Sequence, residues 1–201
     1  MRLGLSAPAR RLVGRGVRAD QVTLAGLGVA ALCFAALSLG WYPVGLGLLV
    51  LNRALDGLDG AVARASEATD RGAFLDIAAD FLFYALVPLG FAVADPTANA
   101  LAAAALLAAF IGTGATFLAF AVIAAKRGMV TADYPAKGIY YLGGLTEGAE
   151  TILLFVSMCL WPARFAVLAL IFTGLCLVTI GMRLHMGWRI LGNQAADREK
   201  A

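Results

Sequence analysis

Two pairs of aspartates lie near the ends of two long apolar stretches. Asp56 and Asp59 are three residues apart, and Asp76 and Asp80 are four residues apart. On an α-helix, either spacing places both carboxylates on one face. In two antiparallel helices that rise about 1.5 Å per residue, the two pairs come to a similar depth. We therefore expect the four carboxylates to converge on one site.

Four carboxylates in a partly desolvated site repel one another unless cations neutralise them. Arg64 alone cannot balance four charges, and the helical wheel directs Arg53 and Arg71 elsewhere. No Cys or His lies nearby, and a set of oxygen ligands favours Mg²⁺, Mn²⁺ or Ca²⁺ over zinc or copper. Two such ions can bind a pyrophosphate or phosphodiester and stabilise the attacking and leaving oxygens. The pattern predicts two divalent cations and phosphoryl transfer.

Glycines accompany both pairs. Gly57 and Gly60 lie beside the first acidic face, and Gly72 precedes the second pair. A position without a side chain lets a ligand approach the helix backbone closely. Small residues are also common where membrane helices cross. For Gly60 we favour the ligand interpretation.

The remainder of the chain is strongly apolar. Of its 201 residues, 61% are hydrophobic and 14% are charged, and the mean hydropathy is +0.83. Several apolar runs reach the roughly 20 residues that cross a hydrocarbon core. We predict an all-α integral membrane protein with six transmembrane helices at residues 21–39, 43–63, 73–94, 98–125, 146–161 and 164–186. These helices form a catalytic domain at residues 21–190, preceded by a basic segment (1–20) and followed by a cytoplasmic tail (191–201).

The distribution of positive charge predicts the orientation. The turns at Pro43, Pro96 and Pro162 contain one of the sixteen Lys and Arg residues, Arg164, and the other fifteen fall toward the opposite side. The positive-inside rule makes that opposite side cytoplasmic, with both termini and the aspartates on it. We expect a bacterial-type inner membrane protein. The net charge of +3 follows from this orientation and implies no nucleic-acid partner.

Residues 7–18 have two open interpretations. They form a short interfacial segment whose arginines meet anionic lipid headgroups, or a disordered lead that only sets the topology.

The acidic stretch resembles the signature of the CDP-alcohol phosphotransferase (CDP-alcohol phosphatidyltransferase) family. The match reads Asp56-x-x-Asp59-Gly60-x-x-Ala63-Arg64, seven residues, then Gly72-x-x-x-Asp76-x-x-x-Asp80, with no substitution at a signature position. The resemblance covers these residues and the six-helix plan. It implies that Asp56, Asp59 and Asp76 are metal ligands, and that Asp80 completes the metal site and serves as general base.

The same resemblance implies contacts with the CDP moiety from Gly60, Ala63 and Arg64, the last through charge-assisted hydrogen bonds to phosphates. Family members tend to carry Pro-Asn-x-x-Thr before the first span. Here only Thr23 matches that element, which makes it a candidate nucleotide contact, and Asp20 is expected to cap the first helix. The resemblance also implies a homodimer.

The expected reaction moves a phosphatidyl group from CDP-diacylglycerol to a small alcohol. Two divalent ions bind the pyrophosphate, Asp80 takes the alcohol proton, and CMP leaves. The acceptor is glycerol 3-phosphate, inositol phosphate or an unphosphorylated alcohol.

Basic and acidic residues later in the chain are candidates for binding the acceptor. The basic candidates are Lys126, Arg127, Lys137 and Arg183. Glu147 and Glu150 could bind a hydroxyl-rich or cationic acceptor, or pair with Lys137 or Arg183. Alternatively, they are acidic residues of the kind favoured at a helix N-terminus.

Two other functions compete with the enzyme. An ion-coupled transporter also buries acidic groups, but it does not need Asp-Gly-x-x-Ala-Arg, and the two halves contain no paired interrupted helices. A purely structural membrane protein has no reason to bury these charges.

Overall fold

The computed structural model describes residues 6–66, 69–128 and 145–198, and within these ranges the chain is helical without strands. The helices are α1 (Ser6–Gly14), α2 (Ala19–Ser38), α3 (Tyr42–Ala65), α4 (Asp70–Ala94), α5 (Pro96–Lys126), α6 (Gly148–Leu160) and α7 (Phe165–Arg198), with a 3-10 turn at Pro162–Arg164. The all-α prediction is confirmed. Helices α2 to α7 overlap the six predicted segments, and α7 continues beyond the boundary expected at residue 190.

Four described segments are long and apolar enough to cross a bilayer: α2, α4, α5 and Pro162–Gly192. Helix α6 is apolar but has 13 residues. Helix α3 has 24 residues, but every stretch of 18 residues within it holds at least three charged side chains, among them Arg53, Asp56 and Asp59. The described residues therefore contain four candidate membrane spans, which does not confirm the predicted count of six, and the charges that predict a site set α3 apart from the four.

Local turn chemistry determines where the helices carrying the site begin. Gly40, with φ +74°, follows α2 in the left-handed region that favours glycine. Pro43 lies in the first turn of α3, where its missing N–H leaves no helical hydrogen bond unmade. Thr69 caps α4, and its side chain accepts a hydrogen bond from the Gly72 N–H at 3.1 Å. This cap places the second aspartate pair in the first turns of α4.

We predicted that Asp20 caps the helix at residues 21–39, which is α2 in the structure. That prediction is wrong. Helix α2 has Arg18 as its N-cap residue, and the Arg18 N–H donates to Gln21 Oε1 at 3.0 Å. The Asp20 carboxylate instead accepts a hydrogen bond from Arg71 of α4. Asp20 therefore ties α2 to α4 rather than closing the end of its own helix.

The chain divides into two compact units, Met1–Ala103 with Phe155–Phe165 and Ala104–Leu154 with Ala166–Ala201. The predicted catalytic domain at residues 21–190 spans both units.

In the first unit, α2, α3 and α4 pack around the fully buried Leu37. A Cβ added at Gly45 of α3 would lie 2.5 Å from Leu37 Cδ2, and one added at Gly90 of α4 would lie 2.8 Å from Leu37 Cβ. Glycine at both positions therefore allows the helices to approach closely. Phe91 of α4 stacks on Phe165 with ring centroids 4.7 Å apart.

The basic segment before α2 is helical over Ser6–Gly14. Ala9 of α1 is fully buried against Ala61 and Val62 of α3, while Arg10 and Arg11 are exposed. A disordered lead is therefore wrong for these residues. Their location on the membrane surface stays a prediction.

In the second unit, α5 packs against α7. A Cβ at Gly112 would lie 2.6 Å from Ile180 Cδ1, and Arg127 Nη1 donates to the Leu191 carbonyl at 2.9 Å. Thr146 Oγ1 and the buried Thr179 Oγ1 are 3.0 Å apart in a hydrogen bond. The contact of Thr146 with Thr179 joins the residues just before α6 to α7.

Candidate active site

Three of the four signature aspartates come together between α3 and α4. One carboxylate oxygen from each of Asp56, Asp59 and Asp76 lies within 4.8 Å of the other two. Asp59 is buried at 5% exposure, Asp56 is half-buried, and Asp76 is exposed. Carboxylate oxygens at this spacing fit a hard divalent cation, whose oxygen ligands lie about 2.0–2.6 Å from the ion.

The carboxylates border a small cavity of about 20 Å³, which is room for an ion or a water molecule. Helices α2, α3 and α4 all contribute to its wall. The lining residues are Thr23, Gly26, Leu27, Asn52, Arg53, Asp56, Asp59, Asp76, Ala79 and Asp80. All belong to the first unit. The acidic faces of α3 and α4 therefore meet at one cavity, as expected, and α2 contributes part of its wall.

Asp80 lines the cavity but is paired with a cation. Arg53 Nη1 lies 2.8 Å from Asp80 Oδ1 and 3.7 Å from Asp56 Oδ2. The prediction that the helical wheel directs Arg53 elsewhere is wrong. Arg53 and Asp56 are three residues apart on α3 and share its face, and α4 presents Asp80 to that face. The three-residue spacing predicts the contact of Arg53 with Asp56. No spacing in the sequence predicts its contact with Asp80, which lies on another helix.

Thr23 is the contribution of α2 to the acidic group. This buried hydroxyl donates to Asp59 Oδ2 at 2.8 Å. It also lies 3.1 Å from the Ala19 carbonyl of its own helix. Thr23, which we expected to contact the nucleotide, therefore donates a hydrogen bond to a predicted metal ligand. The sequence did not predict this hydrogen bond. Its contact with the nucleotide stays a prediction.

The predicted CDP-binding residues lie in the last two turns of α3. A Cβ added at Gly60 would lie 3.2 Å from Arg64 Nη1, so the exposed Arg64 guanidinium lies over the bare backbone at that position. Ala63 is half-buried beside it. Arg71 of α4 is 69% exposed and pairs with Asp20. Arg64, and not Arg71, therefore lies along the face of α3 that contains Gly60.

The predicted acceptor residues belong to the second unit or lie outside the described residues, as Lys137 does. Lys126 and Arg127 are exposed at the end of α5. Glu150 lies in the first turn of α6, and its Oε2 accepts from the Glu147 N–H at 3.1 Å. This contact is typical of an acidic residue at a helix N-terminus, and binding of an acceptor by Glu150 stays a prediction.

Among the described members of this set, Arg183 is buried, at 7% exposure. Its Nη1 donates to the Thr113 carbonyl at 2.9 Å, and its guanidinium carbon lies 5.7 Å from the Phe117 ring centroid. Within the described part of the chain its Nε has no hydrogen-bond partner. A buried guanidinium with an unused donor can bind an anion or an alcohol oxygen.

Comparisons with known proteins bear on the whole chain. The model of the CDP-alcohol phosphatidyltransferase family matches residues 17–186. The chain is 56% identical over 176 residues to the inner membrane protein YnjF of Escherichia coli, which covers 88% of this chain and 85% of that protein.

Solved structures provide a second comparison. The phosphatidylinositol phosphate synthase of Mycobacterium tuberculosis with CDP-DAG bound has a similar fold, with a TM-score of 0.69 at 23% identity over 92% of this chain and 94% of that one. The same enzyme in complex with manganese and citrate matches with a TM-score of 0.68, also at 23% identity, over 92% and 88% of the two chains. At this identity the likeness concerns the fold. The family match includes every position of the acidic signature, so the chain belongs to the CDP-alcohol phosphatidyltransferase family and is an enzyme of that type.

Proposed function

We propose that this enzyme transfers a phosphatidyl group from CDP-diacylglycerol to the hydroxyl of a small polar alcohol and releases CMP. The observation that carries the proposal is the gathering of Asp56, Asp59 and Asp76 around one small cavity, with Asp80 on its wall. The similar fold of an enzyme solved with CDP-DAG, and again with manganese, supports this donor and a divalent metal.

Asp56, Asp59 and Asp76 would hold the metal, and Asp80, which borders the same cavity, would complete the metal site. Two bound cations, Mg²⁺ or Mn²⁺, would neutralise the pyrophosphate and stabilise the leaving CMP. Thr23 contributes by holding one oxygen of Asp59 through its 2.8 Å hydrogen bond. A ligand fixed in this way loses less rotamer freedom when it binds an ion.

Asp80 is the proposed general base. Its Oδ1 accepts a hydrogen bond from Arg53, so Oδ2 is the oxygen we assign to the proton of the acceptor hydroxyl. As that proton moves to Asp80, the alcohol oxygen forms a bond to the lipid-bearing phosphorus. The bond from that phosphorus to the CMP oxygen breaks, and CMP leaves with the electron pair.

Arg64 would bind the nucleotide phosphates, because its guanidinium is exposed and lies along Gly60. Gly60 and Ala63 would contact the CDP moiety as well, since neither carries a bulky side chain. The diacylglycerol chains would stay in the bilayer beside the apolar helices. We place the acidic site just inside the cytoplasmic interface, and we propose six spans with both termini cytoplasmic.

The acceptor would be glycerol 3-phosphate, inositol phosphate or an unphosphorylated alcohol. Arg183 supports a phosphate-bearing acceptor, because it is buried and its Nε donates to no described atom. Glu147, Glu150, Lys126, Arg127 and Lys137 remain the further candidates. By the family resemblance we also propose a homodimer.

A direct assay tests the function. Purified protein in lipid nanodiscs receives CDP-diacylglycerol, Mn²⁺ or Mg²⁺, and one alcohol from a panel that includes glycerol 3-phosphate, inositol phosphate and unphosphorylated polyols. CMP release and the product lipid are measured together. We expect turnover with one acceptor class and none with EDTA. Protein that binds CDP-diacylglycerol but releases no CMP with any acceptor would count against the proposal.

The acceptor residue is tested in the same assay. Arg183→Gln should raise the KM of a phosphorylated acceptor and leave the KM of CDP-diacylglycerol unchanged. The matched control is Arg189→Gln, since Arg189 is an exposed arginine on the same helix. Equal acceptor KM values for the two variants would remove Arg183 from the acceptor site.

A further inference from the structure

A groove of about 590 Å³ lies between α5 and α7. Pockets that hold small ligands have volumes of about 300–1,000 Å³, so this groove is large enough for a ligand. Apart from Thr116 and Arg183, its wall consists of apolar residues and glycines. The lining residues are Ala115, Thr116, Ala119, Phe120, Ile123, Arg183, Leu184, Gly187, Trp188, Leu191 and Gly192. Both helices are candidate membrane spans, and an empty apolar groove gives up dispersion contacts along its wall. Hydrocarbon therefore suits this space.

Helices α5 and α7 run in the same direction along the groove. A Cβ added at Gly187 would lie 3.4 Å from Phe120 Cδ2. Further along both helices, Arg127 Nη1 donates to the Leu191 carbonyl at 2.9 Å. The groove therefore has one end near the C-terminal end of α5, on the side of the membrane that we propose to be cytoplasmic.

Two cations continue the face of α5 that lines the groove. Lys126 and Arg127 follow Ile123 by three and four residues, so they lie on the same helix face about one turn beyond it. Both are exposed. The hydrogen bond to Leu191 holds the Arg127 guanidinium beside a residue of the lining. The groove thus combines an apolar wall with two positive charges at one end.

Arg183 borders the groove without directing its charge into it. Its Nη1 donates to the Thr113 carbonyl, and its guanidinium carbon lies 5.7 Å from the Phe117 ring centroid. Neither Thr113 nor Phe117 belongs to the lining. The charged end of Arg183 is therefore directed out of the groove, and its aliphatic stem forms part of the wall. Arg183 stays available for the acceptor, as proposed above.

We propose that this groove binds an anionic phospholipid of the membrane, with an acyl chain along the apolar wall and the phosphate at Lys126 and Arg127. Each basic residue near a membrane surface strengthens the attraction of anionic lipid. The wall fixes the position of the chain, and the two cations select the headgroup. The site goes beyond the transfer reaction, and it gives a lipid ligand to two residues named above as acceptor candidates.

Two other occupants fit the groove less well. A soluble polyol phosphate would meet the cations but place its hydroxyls against apolar side chains, where they find no hydrogen bonds. A second copy of the chain, packed here about a two-fold axis parallel to the helices, would bring each cation against its own counterpart. An anionic phospholipid matches both the wall and the charges at its end.

The chain contains a reporter for this site. Trp188 lines the groove and is 84% exposed. The chain has three tryptophans, and replacing Trp41 and Trp161 by Phe leaves Trp188 as the single one. Its fluorescence is measured in phosphatidylcholine bilayers that contain brominated phosphatidylglycerol or brominated phosphatidylcholine, since bromine quenches tryptophan at close range. Each cation should raise the affinity for the anionic lipid about fivefold, so we expect a preference of roughly 10- to 30-fold.

Charge variants test the headgroup end of the site. Lys126→Gln combined with Arg127→Gln should lower the preference for phosphatidylglycerol to about twofold or less. Lys126→Arg combined with Arg127→Lys should keep it, because both charges remain. Arg189→Gln is the matched control, because Arg189 is exposed on α7 and does not line the groove. It should leave the preference within about twofold of the wild-type value.

A variant of the wall tests the position of the acyl chain. Ala119→Phe places a ring in the groove without changing any charge. It should remove most of the preferential quenching, because the acyl chain loses its contacts with the wall. Ala125→Phe is its control, since Ala125 is an exposed alanine of the same helix outside the lining. It should keep the wild-type preference.

Three results would overturn the proposal. The wild-type protein shows no preference for the brominated anionic lipid, Arg189→Gln lowers the preference as far as the double variant of Lys126 and Arg127, or Ala119→Phe leaves it unchanged. A second copy in the groove would overturn it too, and would appear as a lower yield of crosslinked dimer in Ala119→Phe. The measurement uses neither CDP-diacylglycerol nor metal, so a failure of the proposed transfer reaction, seen as no release of CMP, is distinguishable from all of these results.

Discussion

Thr23 Oγ1 donates a 2.8 Å hydrogen bond to Asp59 Oδ2 and joins the buried face of α2 to the most buried carboxylate of the cluster. The two residues are 36 positions apart in the chain. Their contact explains why α2, which carries no signature aspartate, belongs to the site.

Thr23→Val should weaken Mn²⁺ binding and turnover about 10-fold, because the loss of an outer hydrogen bond to a metal ligand has effects of this size. Thr23→Ser should restore both, since it keeps the hydroxyl. Thr173→Val serves as control, because Thr173 Oγ1 donates to the Ala169 carbonyl of its own helix. Binding titrations and the CMP assay provide the two measurements. Wild-type Mn²⁺ affinity in Thr23→Val would show that Asp59 binds the ion equally well without the hydrogen bond from Thr23.

Asp80→Asn should lower kcat by about 10² to 10⁴, the usual contribution of a general base. Mn²⁺ and nucleotide should still bind, because Asp56, Asp59 and Asp76 form the closer group. Asp59→Asn should differ by losing Mn²⁺ binding as well. Single-turnover kinetics beside Mn²⁺ titration distinguish the two variants. A normal turnover rate in Asp80→Asn would eliminate it as the base.

Gly60→Ala should raise the KM of CDP-diacylglycerol without lowering the thermal midpoint. The new Cβ would lie 3.2 Å from Arg64 Nη1, and the end of this flexible side chain can shift at little energetic expense. The shift moves the guanidinium proposed to bind the nucleotide phosphates. Gly28→Ala is the matched control, since a Cβ there meets nothing within 4 Å. If the two variants share the same KM, the bare backbone at Gly60 has no part in binding.

Gly90→Ala should destabilise the first unit by about 1–3 kcal/mol through overpacking. Its Cβ would lie 2.8 Å from Leu37 Cβ and 3.3 Å from the Phe34 carbonyl oxygen. Both atoms are fixed to the backbone of α2, so they cannot shift unless the helix moves. Gly47→Ala, where a Cβ has open space, should be neutral. Thermal unfolding in detergent compares the two. Equal thermal midpoints would mean that α2 and α4 can move apart without loss of stability.

Sequence alone determined that the aspartates lie in pairs on two helix faces, and it determined the positions of the helices. The spacing of Asp56 and Asp59, and that of Asp76 and Asp80, follows the helical repeat, which depends only on local geometry. The apolar runs predicted all-α structure for the same reason. The signature predicted the family, which the match over residues 17–186 confirms.

Tertiary structure decided what surrounds those carboxylates. Helical periodicity orders side chains around one helix but says nothing about how a neighbouring helix is rotated against it. The sequence therefore directed Arg53 away from Asp80, which lies 2.8 Å from it, and it did not predict the hydrogen bond from Thr23 to Asp59. The rotation and closeness of α2, α3 and α4 depend on Leu37 packing where Gly45 and Gly90 have no side chain, a contact between residues distant in the chain.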